Sequence, residues 1–312
     1  MKALIPISPW KQHGSAIISA MLVAAVAAAA ATGMLATQSL WRQESTLAGD
    51  LTQCRYAARA GVAWAASILY LDERTSPVDH LGEPWATPLS PTPMEGATVS
   101  GVMHDLQGRY NINNLVRGGV ALPGEVARYR RLLTVLDLPP ALADTLADWI
   151  DADYVTISDE GAEDSYYATQ PQGVRTAGRA IADITELLNV KGYNAAVLAT
   201  LAPYISALPS STPINVNTAP PPVLMLAAPA LTLDDATRLS VLRDQSWFRD
   251  LADFQRRLPA QSGLVDMSTV SVNSNHFAVS AQVKCGDTHV RLHGILRRSG
   301  NALPVTIHQR FD

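Results

Sequence analysis

Cysteine is almost missing from this 312-residue chain, which has only Cys54 and Cys285. A disulfide framework is therefore excluded, although one bridge remains open. Charge of either sign is sparse, at 17% of residues, which argues against a chain disordered by composition. Positive charge is not in excess: the formal net charge of -4 and the pI near 6.0 argue against a nucleic-acid binder held by phosphate contacts. Catalytic signatures are lacking too. No G-x-S-x-G elbow, H-E-x-x-H pair, P-loop or dinucleotide fingerprint occurs. Proline is absent between residues 10 and 76, so nothing there forces a helix to break. Finally, residues 148–167 contain no Lys or Arg, although they hold seven carboxylates.

What is present starts with a long apolar run. Lys2, Lys11 and His13 precede Gly14, and Ser15 to Trp41 then carries no charge. A bilayer-spanning helix needs about 20 residues, whereas a cleaved signal's apolar region runs to roughly 7–15. From Arg42 onward, Leu47, Leu51, Cys54, Ala58, Val62, Ala65 and Leu69 recur at threes and fours, so the pattern predicts one continuous helix, first membrane-spanning and then amphipathic. The basic residues before the span predict a cytoplasmic N-terminus with the rest outside.

The junction KQHG|SAIISAMLV resembles a type IV prepilin leader, which implies cleavage by a prepilin peptidase after Gly14 and a mature, methylated N-terminus at Ser15. Relatives of that class usually carry Glu five residues after the cut, where this chain has Ser19. That Glu neutralises the N-terminal ammonium of the subunit ahead, and an unpartnered buried ammonium is costly. A subunit without the Glu suits a position with no subunit ahead of it. The K-type minor pseudopilins of type II secretion share this departure.

Downstream, residues 76–96 are rich in Pro and Ser and read as a loop. GATVSGVMHDLQGRYNINNL predicts two short strands around Gly108, and residues 122–265 read as helices with short connections. Then HFAVSAQVKCGDTHVRLHGILRR predicts a hairpin, with Phe277, Val279, Ala281, Val283 and Cys285 on one face, Val290, Leu292 and Leu296 on the partner strand, and Gly286-Asp287 in the turn. Such a sheet needs a cover, which the long helix supplies. Cys54 on the helix stripe and Cys285 on the apolar sheet face then share one layer, as two buried thiols or as a bridge. His289 and His293 point off that face. The expected class is α+β: a long N-terminal helix on a small antiparallel sheet, pilin-like, with a large inserted α-helical domain. Two pieces of that domain, ADITELLNVKGYNAAVLATLAPYI and the segment from Ile214 to Leu258, resemble helix-hairpin-helix or SAM-like units. Charge favours a structural role for them over DNA binding.

The acidic stretch DWIDADYVTISDEGAEDSYY can be read as a catalytic carboxylate pair, a solvated loop or a metal site. Crowded carboxylates are hard oxygen ligands that suit Ca²⁺. It is not an EF-hand: counting from Asp151, position 6 is Thr156 and position 12 is Ala162. It resembles the K-family run W-I-D-x-D followed by G-A-E-D-x-Y-Y, matched by Trp149–Asp153 and Gly161–Tyr167. The resemblance implies a structural Ca²⁺ held by Asp151, Asp153, Glu163 and Asp164, with Asp148, Asp159 and Glu160 as lesser candidates. Where the family continues with R-T, Asn and Pro, this chain reads Arg175-Thr176-Ala177-Gly178-Arg179-Ala180.

Together these readings imply a leader over 1–14, a transmembrane segment over 15–40, and a pseudopilin helix with first strands over 41–115. The first α-helical domain with the calcium loop then spans 116–210, a second hairpin unit 211–265, and the C-terminal hairpin 266–312. The resemblance implies a non-enzymatic minor pseudopilin of type II secretion, anchored in a bacterial inner membrane with its bulk in the periplasm. It would cap the pseudopilus tip and help initiate assembly for export of folded proteins. Its partners would be I-type, J-type and H-type minor pseudopilins, the prepilin peptidase and the inner-membrane assembly platform, with no nucleic acid. The alternatives are a minor pilin of a type IV pilus or DNA-uptake machine, and a membrane-anchored periplasmic enzyme.

Overall fold

A computed structural model describes residues 13–170, 173–300 and 302–312. Residues 1–12 of the expected leader lie outside the described residues. Helix α1 runs from His13 to Thr75 without interruption, as the alanine-rich, proline-free sequence predicts, and it takes in Gly14 and Ser15. It stops where Ser76 precedes Pro77, because proline disfavours helical backbone in the residue before it.

The two halves of α1 differ. Its candidate membrane span has a mean hydropathy of 2.1 and none of that window is buried. Burial begins at Cys54 and continues through Ala58, Val62, Ala65 and Leu69, one stripe facing the sheet. Leu47 and Leu51, expected in that stripe, are exposed because the helix extends past the strands it covers.

The sheet has five antiparallel strands in chain order: β1 (Leu89–Met94), β2 (Ala97–Asp105), β3 (His276–Cys285), β4 (Thr288–Arg297) and β5 (Val305–Phe311). The register puts Val99 beside Val283 and Val283 beside Val290, so the apolar positions line up across the face under α1. All eight residues assigned to the hairpin's apolar face are buried. Cys54 and Cys285 meet in this layer, Cα atoms 5.7 Å apart, and the structure joins their sulfurs across 231 residues.

Three expectations need correction. The Pro-rich stretch expected as a loop contains β1, which tolerates Pro91 and Pro93 because it is an edge strand. The expected hairpin gains a third strand, β5, whose side chains are mostly exposed and so show no burial alternation. The strand expected after Gly108 is only Tyr110–Asn111, paired in parallel with Ile205–Ser206.

Residues 106–275 form an insertion between β2 and β3. It contains α2 (Pro123–Val135), α3 (Leu142–Ile150), α4 (Asp164–Tyr167), α5 (Ala195–Leu201), α6 (Pro221–Leu224), α7 (Leu233–Gln245) and α8 (Leu251–Arg257). It has its own core, separate from the one under α1 and centred on residues such as Tyr129, Leu132, Leu146, Trp149, Leu201 and Phe254.

A buried polar joint ties the insertion to the body. Arg298, just after β4, pairs with Asp72 of α1 and with Asp79, each at 2.6 Å, and reaches the insertion by donating to Ser274 O at 3.2 Å, while Asp79 Oδ2 accepts from Ser274 N at 2.7 Å. Asp105, at the end of β2, accepts hydrogen bonds from Asn215, Thr218 and Ser274 at 2.6–3.0 Å. A Cβ at Gly108 would lie 2.6 Å from Thr218 Oγ1, so the chain passes here only as glycine.

Candidate metal centre

Helix α3 positions the first two acids. Its residues Ala143, Leu146, Ala147 and Ile150 are buried in the insertion core, and Asp148 falls on the side facing the acidic loop. Asp151 caps the same helix end, one turn on. Glu163 is delivered by the returning loop, immediately before α4. All three are buried, and each offers a carboxylate oxygen within 4.8 Å of the others.

The loop is folded to reach this arrangement. Asp148 Oδ1 accepts from Ile157 N at 3.0 Å and Oδ2 from Ala162 N at 2.8 Å, so one carboxylate gathers both sides of the loop. A Cβ at Gly161 would collide with Asp148 Oδ2, so glycine is required by close approach. Among the described residues, Asp151 Oδ1 and both oxygens of Glu163 are buried without a hydrogen-bond partner. Buried polar atoms are normally paired, and three orphaned oxygens facing one spot are costly.

Electrostatics sharpens the point. Burial, then the charges of Asp153 and Asp148, push Asp151 up to about 7. Burial, then Asp151, Asp148 and Asp153, do the same to Glu163, also to about 7. Asp148 is raised by burial although the two loop N–H groups oppose the shift. The end of a helix, with its unpaired carbonyls, is an unfavourable place for anions. A cation bonded to oxygens at roughly 2.3–2.6 Å spans oxygen pairs up to about 5 Å apart, so the spacing fits Ca²⁺.

The remaining expected ligands are placed differently. Asp153 is exposed; its Oδ1 accepts from Val155 N at 2.8 Å, and it acts on the cluster by charge. Asp164 starts α4 and its Oδ1 accepts from Thr176 N and Thr176 Oγ1, at 2.8 and 3.0 Å. Asp159 and Glu160 are exposed. Asp148, expected with Asp159 and Glu160 only as a lesser candidate, sits at the centre. Its three-residue spacing from Asp151 was the available signal, since that spacing shares a helix face. The aromatics divide as well: Trp149 and Tyr167 pack edge-to-face at 4.9 Å in the core, and Tyr154 is 77% exposed.

Asp72, Asp79 and Glu83 form a second tight acidic group. Its charges are answered from within: Arg298 pairs with two of them, and Glu83 Oε2 accepts from His80 N and Trp85 Nε1. It is a structural ion-pair network.

Comparison with known proteins agrees with this architecture. Family models described as type II secretion system (T2SS), protein K, match residues 108–210 and 214–280. The type II secretion system protein K of Pseudomonas aeruginosa is 33% identical over 300 residues, covering 92% of this chain and 89% of the relative. That of Aeromonas hydrophila is 29% identical, covering 92% and 93%. A chain from the crystal structure of the GspK-GspI-GspJ complex of enterotoxigenic Escherichia coli shares the fold, with a TM-score of 0.73 at 22% identity, over 86% of this chain and 99% of that one. The chain therefore belongs to the type II secretion system protein K family, the minor pseudopilins of that system.

Proposed function

We propose that this chain caps the tip of a periplasmic pseudopilus, anchored by α1 in the inner membrane with its N-terminus in the cytoplasm until cleavage after Gly14. The observation that carries this reading is the insertion itself. Residues 106–275 enter between two neighbouring strands, so the body bears a second folded unit with its own core, too bulky for another subunit to stack upon. Ser19 in place of the usual Glu supports the same position. The unburied apolar half of α1 suits first a bilayer and then the helices of neighbouring subunits. I-type and J-type minor pseudopilins are the expected neighbours, in line with the GspK-GspI-GspJ complex. The role is assembly rather than catalysis.

A structural Ca²⁺ held by Asp148, Asp151 and Glu163 belongs to this reading, with Asp153 contributing charge. The partnerless buried oxygens support it. When bound, the ion would supply positive charge and tie α3 to the returning loop. The two hairpin-like pieces are read as structural, since Lys191 at the first turn spends its ammonium on loop carbonyls inside the chain.

The test is co-purification of the detergent-solubilised full chain with I-type and J-type minor pseudopilins. A stable complex containing all three, lost when the insertion is deleted or Gly14 is replaced so that cleavage fails, is expected. A chain that assembles and supports secretion without its insertion would overturn the tip reading.

A further inference from the structure

Lys191 lies outside the acidic stretch, yet it touches that stretch in several places. Its backbone is pinned on two sides: Lys191 N donates to Tyr167 Oη at 3.0 Å, and Lys191 O accepts from Thr145 Oγ1 of α3 at 3.0 Å. Its side chain then reaches across to the loop. The ammonium donates to Glu160 O at 3.0 Å and Gly161 O at 3.1 Å, and sits 4.9 Å from the centre of the Tyr166 ring.

The Gly161 carbonyl and the Ala162 N–H belong to one peptide unit. Lys191 holds its carbonyl end while Asp148 Oδ2 accepts from its N–H end at 2.8 Å. Fixing that plane fixes Asp148 and sets the direction from which Glu163 enters. A charged donor on the carbonyl also polarises the amide, which strengthens the bond to Asp148.

From this geometry we propose that Lys191 is the positioning residue of the calcium loop, holding the Gly161–Ala162 peptide so that Asp148, Asp151 and Glu163 converge. The proposal rests on the calcium reading above. Two effects oppose each other. A nearby ammonium repels a divalent cation, whereas an ordered loop spares the ion the work of organising its ligands. The positioning effect dominates here, because the ammonium is committed to two carbonyls and an aromatic face.

The experiment uses the full chain in detergent, with calcium as the probe, and compares Lys191→Met and Lys191→Arg with the parent. Calcium affinity is read by titration calorimetry, and backbone amide exchange over residues 157–162 is read separately with chelator present. Removing partners that orient a metal's ligands lowers affinity by about 10–100-fold, so Lys191→Met should fall by at least about tenfold. Its amide exchange should quicken with chelator alone, and Lys191→Arg should restore most of both. Tyr166→Leu, which removes the aromatic floor and its edge contact with Tyr167 but leaves the ammonium's two carbonyl bonds, should give a smaller loss in the same direction. Affinity that is unchanged or tighter in Lys191→Met, with unchanged exchange, would overturn the role of Lys191 while leaving the calcium reading intact. A parent chain that binds no calcium would overturn that reading and this role together.

Discussion

The α1-and-sheet body and the inserted helical unit are held together by different physics. In the body, one helix stripe and one sheet face bury apolar side chains in matching rows, and the Cys54–Cys285 pair closes the layer. In the insertion, short helices are joined by loops whose polar groups are answered one by one. Asn113 bonds Ile181 and Leu208 carbonyls at 2.8 Å, and Asn217 bonds Phe248 at both its carbonyl and its N–H. Among the described residues, only the insertion leaves buried carboxylate oxygens clustered without partners at one spot. A periodic layer can stand without a ligand, whereas the proposed calcium would complete the buried acidic cluster of the loop-rich unit.

The largest expected effect comes from breaking the joint between the two. Arg298→Ala would leave Asp72 and Asp79 buried without their counter-charge, and losing one partner of a buried pair costs about 3–5 kcal/mol. Denaturant melts of the full chain in detergent should show that loss. Because burial and Glu83 already push Asp72 up to about 7 against the pull of Arg298, acidification should restore part of the variant's stability.

The disulfide separates the regions next. Cys54→Ser together with Cys285→Ser should destabilise the body by about 2–4 kcal/mol. Calcium-dependent melting of the insertion should be untouched. Loss of the calcium response in that variant would show that the two regions are not independent.

Metal removal should do the converse. Ligand linkage gives about 2.7 kcal/mol when free calcium is a hundredfold above its dissociation constant. Asp151→Asn with Glu163→Gln should erase the difference between calcium and chelator in differential scanning calorimetry. The same pair should raise the stability of the chelated chain, since it removes repelling charge.

The pH response of the chelated insertion probes the same acids without the ion. Asp151 and Glu163 titrate near 7 when folded, against 3.8 and 4.5 as ordinary values. Raised folded values mean the folded chain holds protons that the unfolded chain releases. This contribution is complete below the ordinary values and is lost as pH rises to about 7. Without calcium, the insertion should melt higher at about pH 5.5 than at about pH 7.5. With calcium, the same acidification should shrink the calcium-induced gain, because protons compete for the same oxygens.

How far the sequence could be read follows the same divide. The alternation from Phe277 to Cys285 and the threes-and-fours spacing from Cys54 to Leu69 identified the body's facing surfaces, because burial there is one-sided. The strands β1 and β5 were not legible, since edge strands lack burial alternation. In the acidic stretch, composition pointed to the segment in which Asp148, Asp151 and Glu163 cluster. Which acids converge depended on the loop's path, which is set by Asp148's bonds to Ile157 and Ala162 and by Lys191 from a distant turn. No local pattern encodes that path.

The most direct test of the central claim, that the insertion and not the body depends on a cation, is amide hydrogen exchange of the full chain with calcium and with chelator. Protection should rise on calcium addition across residues 148–168 and the turn around Lys191, while β3 and β4 stay unchanged. Identical exchange in the acidic loop under both conditions, or an equal change in β3 and β4, would contradict it.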